Sequence, residues 1–89
     1  MRAILTVIGK DSVGIIAGVS QKLAELDINI LDVSQTIMDG YFTMMMMLDL
    51  QEEHVDFSHI KAELNEKGQA LQVTINIQRE EIFNNMHKL

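Results

Sequence analysis

Gly9-Lys10-Asp11-Ser12-Val13-Gly14 is the one compact cluster in this 89-residue chain where glycines, a carboxylate and the start of a helix meet. The N-terminus of a helix presents unsatisfied N–H groups and partial positive charge, which suits a carboxylate on a small ligand. Gly14 lets backbone approach such a ligand closely, and Asp11 would then oppose an ammonium group on it. Without a ligand, Asp11 is an N-cap or turn residue. Asn29 carries the same two readings, a ligand contact or a residue at the start of a strand bonding its own turn. The sequence leaves both pairs open.

Other chemistry is sparse. With no cysteine there is no disulfide frame, no thiolate nucleophile and no cysteine-ligated metal. His54, His59 and His87 fall in a loop, a helix and the tail without an HxH or HxxxH step, so surface or helix-end positions suit them better than a metal site. Met44, Met45, Met46 and Met47 could suggest thioether ligation of a soft metal. Strand alternation sends them alternately to opposite faces, so core filling is the reading adopted. No activated nucleophile or close acid/base pair is present, and neither an enzyme nor a cofactor is expected. The acylphosphatase type of enzyme shares the chain order read below but carries a first-loop arginine that is missing here.

The formal net charge is −6, from 13 acidic and 7 scattered basic residues, so no basic stripe exists to neutralise a nucleic acid or an anionic membrane surface. No secretory signal or membrane-length apolar run is found, which makes the cytoplasm the default address. The apolar fraction of 47% is that of one globular domain. A core this small leaves about 5–10 kcal/mol of stability, and assembly with a second copy would help.

The elements that position the cluster follow from periodicity. Residues 3–8 read as a strand apolar on both faces, hence central. After the turn, residues 13–26 read as an amphipathic helix with Ile16, Val19, Leu23 and Leu26 inward, capped by Asp11 or Ser12. Residues 29–38 alternate, with Leu31, Val33 and Ile37 on one side and Asp32, Ser34 and Thr36 on the other. Asp39-Gly40 is a hairpin signal that joins this strand antiparallel to residues 41–50. There Phe42, Met44, Met46, Leu48 and Leu50 share one face, and Tyr41, Thr43, Met45, Met47 and Asp49 share the other, which is unusually apolar for a solvent face.

Asp56 is placed to cap a second helix, stapled by Val55 and Ile60, with Phe57, Ile60 and Leu64 inward and Gly68 as its stop. Residues 71–78 alternate as a half-buried strand. The tail, 79–89, reads as a short helix with Ile82, Phe83, Met86 and Leu89 near one face. Eleven residues are marginal as an isolated helix, and the face carrying Met45 and Met47 is one place for them to lie. The order β-α-β-β-α-β is that of the ferredoxin-like α+β fold, a four-stranded antiparallel sheet with two helices on one face. It places the first and third strands centrally and makes 1–78 the domain, with 79–89 appended.

Gly9-Lys10-Asp11-Ser12-Val13-Gly14-Ile15-Ile16-Ala17, followed by Leu26-Asp27-Ile28-Asn29-Ile30, resembles the ACT domain. That family carries Asp-x-Pro-Gly-hydrophobic-hydrophobic at the first strand-to-helix turn and a hydrophobic-Asn-Ile step into the second strand. The likeness covers residues 2–78 and looks narrowest to small stand-alone ACT proteins and the units of the glycine-cleavage-system repressor. Val13 stands where many members have proline, which removes a residue that presets φ. The resemblance implies a non-enzymatic regulatory module that binds an amino acid or related metabolite at a homodimer interface and acts on a protein partner. By motif position it implies Asp11, Ser12, Val13, Gly14 and Ile15 as the ligand loop, with Asn29 and Ile30 closing the site from the neighbouring copy. The alternative is an interaction module that binds no ligand and assembles through the second strand, the methionine face and the tail.

Overall fold

The computed structural model describes residues 1–10, 12–51 and 56–81. Within them run β1 (Arg2–Lys10), α1 (Ile15–Glu25), β2 (Asn29–Met38), β3 (Tyr41–Asp49), α2 (Phe57–Leu71) and β4 (Val73–Arg79). The four strands form one antiparallel sheet in the order β2-β3-β1-β4. This is the ferredoxin-like βαββαβ arrangement, with β1 and β3 central as the doubly apolar strands require.

Alternation divides the sheet into two faces. Ala3, Leu5 and Val7 of β1, Phe42, Met44, Met46 and Leu48 of β3, and Ile75 and Ile77 of β4 form one buried cluster with Ile15, Val19 and Leu23 of α1 and Ile60 and Leu64 of α2. The opposite face, here called the open face, carries Ile4 and Ile8, Met45 and Met47, and Asp32 and Ser34. Asp39 and Gly40 have φ of 53° and 81°, so both central residues of the hairpin are left-handed, the primed turn that matches strand twist. The register of β2 on β3 shifts by one residue between Ile30 and Asp32, leaving Leu31 as a bulge.

Several boundaries differ from the sequence reading. The inward stripe of α1 is Ile15, Val19 and Leu23, spaced by four residues, and this rotates Ile16 out to 42% exposure. Gly14, not Asp11 or Ser12, is the N-cap, because the helix starts at Ile15 and leaves Ser12 two residues too early; Asp11 lies outside the described residues. Asp56 does cap α2, its carboxylate accepting from the His59 N–H at 3.1 Å. Val55, the other half of the expected staple, lies outside the described residues.

Gly68 does not stop α2. The helix continues to Leu71 and ends on Gln72, which is left-handed at φ 61°, so Leu71 belongs to the helix and not to β4. Gly68 serves packing instead: a Cβ there would sit 2.9 Å from the Val73 carbonyl oxygen and 3.2 Å from Ile75. Gly9 and Gly18 answer the same crowding, since Cβ atoms on them would meet Val73 at 2.7 Å and Leu71 at 2.9 Å. Of the expected tail helix, Glu80 and Glu81 are helical and 82–89 lie outside the described residues.

The two helices are tied by Lys22 of α1, whose ammonium lies 2.8 Å from the Glu63 carboxylate of α2 and 3.6 Å from Glu25. The hydrogen bond from Lys22 holds the Glu63 carboxyl below its ordinary value, and the same bond raises Lys22. A carboxylate with a depressed folded pKa contributes stability above its unfolded pKa and loses it as pH falls through the folded one. The Lys22 contribution is present below its ordinary value of 10.5 and fades as pH rises through the raised one.

Chemical denaturation of Glu63→Gln against the parent chain should therefore show a small deficit around neutral pH that shrinks as pH falls below 4.5, the ordinary Glu63 value. Gly68→Ala should destabilise the fold by about 1 kcal/mol even though alanine is the better helix former, because overpacking against a backbone oxygen outweighs propensity. Urea unfolding reads the sign directly.

Candidate functional site

β1 runs unbroken to Lys10, and its last pairs, Gly9 with Phe42 and Lys10 with Tyr41, bring the chain to the hairpin end of the sheet. Ser12, Val13 and Gly14 are exposed there, and Ile15 turns inward as the first buried residue of α1. Gly14 holds φ 93°, ψ 0°, a conformation that costs other residues about 1–2 kcal/mol. No acidic residue occupies the first turn of α1, and among the described residues no side chain accepts from its free N–H groups. The helix start thus offers outward-facing donors and a positive dipole end to an anion.

Asn29 and Ile30 are elsewhere. Asn29 pairs with Asp49, which pairs with Arg2, so it marks the opposite end of the sheet from Lys10. Eight residue steps along β1 separate the two ends by about 26 Å at the rise of a strand. Ser12, Val13, Gly14 and Ile15 therefore form one turn, Asn29 and Ile30 form a second place, and one chain does not bring them together.

β2 itself is an edge strand, with no strand paired on its outer side among the described residues. All of its residues except Ile30 are exposed, including Leu31, Val33, Ile37 and Met38 at 47%, 45%, 55% and 71%. Val33 and Ile37 pair with Met46 and Phe42 and so share the helix-side face, yet the buried stripes of α1 and α2 leave them open. Alternation alone had made this strand half-buried. The sequence order had already put this strand at the sheet edge, as observed; what alternation did not show is that its apolar side is left uncovered as well.

The ACT-domain family model matches residues 2–78. The chain belongs to the ACT-domain family. A UPF0237 protein of Listeria monocytogenes is 73% identical over 89 residues, covering 100% of both chains. The structure of an ACT domain protein from Streptococcus pneumoniae superposes with a TM-score of 0.85 at 53% identity, over 93% of each chain. A structure described as that of a glycine cleavage system transcriptional repressor superposes with a TM-score of 0.75 at 19% identity, over 86% of this chain and 44% of that one, a likeness of fold.

The histidines and methionines weighed as metal ligands from the sequence fall as follows. Among the described residues no group of three or more His, Asp or Glu could hold a metal, and His59 instead lies 3.8 Å from Glu63 along α2. Met44 and Met46 are buried in the core, whereas Met45 and Met47 face the open side, as alternation required. The sequence reading missed the hollow on that side lined by Ile4, Met45, Met47, Asp32 and Ser34. Combining alternation with strand order would have found it.

Because none of the described residues lies within 4 Å of a Cβ on Gly14, substitution there is expected to act through the backbone. Gly14→Ala should cost about 1–2 kcal/mol and Gly14→Asn distinctly less, since asparagine tolerates the left-handed region. Comparing the two thermal midpoints tests whether the turn holds this conformation in solution.

Proposed function

We propose that this ACT domain is a non-enzymatic regulatory module that binds an amino acid or related metabolite between residues 9–15 of one copy and Asn29 and Ile30 of a second. The observation that carries the reading is the placement of the two halves at opposite ends of a sheet whose edge strand is unpaired. A second copy adding antiparallel to β2 about a two-fold axis through the middle of the strand carries its Asn29 to the Met38 end, where the Gly14 turn lies. Each dimer then holds two equivalent sites. The helix N-terminus takes the ligand carboxylate and Asp11 takes its ammonium group.

Occupancy stabilises one arrangement of the two copies, and a partner protein that distinguishes arrangements reads it, with coupling of about 1–3 kcal/mol. Neither nucleic acid nor membrane is assigned as a partner, since the net charge is −6 with no basic stripe; among the described residues no helix is long and apolar enough to cross a membrane. The cytoplasm is the proposed compartment.

The second reading is an assembly module that takes no ligand. It is favoured by the apolar exposure of Leu31, Val33 and Ile37, which a second copy would cover whether or not a metabolite binds.

Thermal unfolding against a panel of amino acids and small carboxylates separates the two. A ligand at ~100 times its dissociation constant adds ~2.7 kcal/mol, and Asp11→Ala or Asn29→Ala should abolish that gain while the dimer remains. A flat panel for a folded dimer supports the assembly reading. Ile37→Lys, a charge on the free edge, should shift sedimentation toward the monomer under either reading; an unchanged dimer would remove β2 as the interface.

A further inference from the structure

The pattern along the outer edge of β2 decides how a second copy can lie against it. Val33, Gln35 and Ile37 pair with Met46, Met44 and Phe42 and point to the helix side, whereas Asp32, Ser34, Thr36 and Met38 pair with Met47, Met45, Thr43 and Tyr41 and point to the open face. Each of these β2 residues is exposed. The bulge at Leu31 ends this regular stretch, because Ile30, paired with Leu48, points to the helix side out of step with it.

Directly opposed residues of two antiparallel strands point to the same side of a sheet. Two copies of β2 related by a two-fold axis therefore fit one continuous sheet only with the axis on a residue; an axis between two residues sets the helix side of one copy against the open face of the other. An axis on Ser34 puts Val33 against Gln35 and stops at residues 32–36, since the bulge comes next, and an axis on Val33 stops sooner still. An axis on Thr36 puts Gln35 against Ile37 and pairs only residues 34–38. With the axis on Gln35 the whole stretch 32–38 pairs with its own copy: Val33 faces Ile37, Ser34 faces Thr36 and Asp32 faces Met38. The bulge then stays outside the pairing, and apolar side chains meet apolar ones on the helix side.

Two further features agree with this register. Ile16, 42% exposed, lies on the flank of α1 turned away from α2, because Gly18 meets Leu71 and Lys22 meets Glu63 on the opposite flank, and α1 is the helix that contacts β2. Since α1 starts at the hairpin end of the sheet, where Ile37 also lies, Ile37 and Val33 of the second copy extend the apolar surface that Ile16 begins. Asn29 of one copy falls two strand steps, about 7 Å, past Met38 of the other. It thus lies beyond the row Met38–Tyr41–Lys10, after which the other chain turns to Gly14.

We propose that two copies pair through residues 32–38 of β2 with the two-fold axis on Gln35, so that Val33 of each copy lies against Ile37 of the other. This register rests on β2 being the surface between copies and adds which residues meet there.

The chain has no native cysteine, and a residue on a two-fold axis meets only itself, so single cysteines locate the axis. Among full chains carrying Val33→Cys, Ser34→Cys, Gln35→Cys or Thr36→Cys, mild oxidation should bridge two copies at least tenfold faster through Gln35→Cys than through the others. A fastest bridge at another of these positions overturns the register but keeps the edge-to-edge dimer. No bridge at any position in chains that sediment as dimers, or a monomeric parent chain, removes β2 as the interface and the register with it.

A charge exchange tests the same contact without oxidation. Val33 and Ile37 are 45% and 55% exposed in the single chain, so charges there leave its core intact. Val33→Lys and Ile37→Glu should each shift sedimentation toward the monomer, and the chain carrying both should return to the dimer, because each lysine then faces a glutamate of the other copy. If the double variant is no more dimeric than the single ones, the Val33–Ile37 contact is overturned.

Discussion

The joint between α2 and β4 is the constraint on which the rest of this domain depends. Only Gln72 separates the helix from the strand, so the chain reverses through one left-handed residue and the two elements must lie almost in contact. Three glycines make room for it: Gly68 beneath the Val73 carbonyl, Gly9 beside the Val73 side chain, and Gly18 under Leu71. Gly9 belongs to the strand that ends at the Gly14 turn, and Gly18 to the helix that begins there. The crowding at Val73 and Leu71 therefore fixes both sides of the turn around Gly14, although neither residue touches it in sequence.

That arrangement explains what was legible in the sequence. The Asp39-Gly40 hairpin, the cap at Asp56 and the double apolarity of β1 are local signals, each set by residues within a few positions of one another. They sufficed for the element order and for which strands are central. The end of α2 was not local. Gly68 reads as a stop until the approach of Val73 supplies another reason for glycine, and Leu71 fits the alternation of a strand until Gln72 is seen to turn the chain. The inward stripe of α1 was read correctly at Val19 and Leu23 and missed at its first position for a similar cause. Ile15 and Ile16 are equivalent in composition, and only the path out of the Gly14 turn decides which faces the core.

The candidate site was half legible. The turn from Ser12 to Ile15 is continuous in sequence and in space, whereas Asn29 is attached to it by motif and lies at the other end of the sheet. A sequence records which residues belong to a pattern but not whether they meet within one molecule. The exposed apolar residues of β2 have the same character: alternation described their chemistry, and the strand order showed that this chain leaves them uncovered.

The bulge at Leu31 fixes the phase of β2. Asn29 and Asp32 are three residues apart, an odd interval that would send them to opposite sides of a regular strand, yet their partners Asp49 and Met47 lie on the same face of β3. One extra residue resets the alternation midway and gives the strand two reading frames joined at Leu31. Removing that residue would make the pairing uninterrupted with Asn29 still opposite Asp49 and Asp32 still opposite Met47, on one face. Alternation read straight through Leu31 thus assigns Asn29 to the helix side, and the bulge is what keeps it on the face of Asp32: a two-residue period holds within each half of this strand but not across the joint.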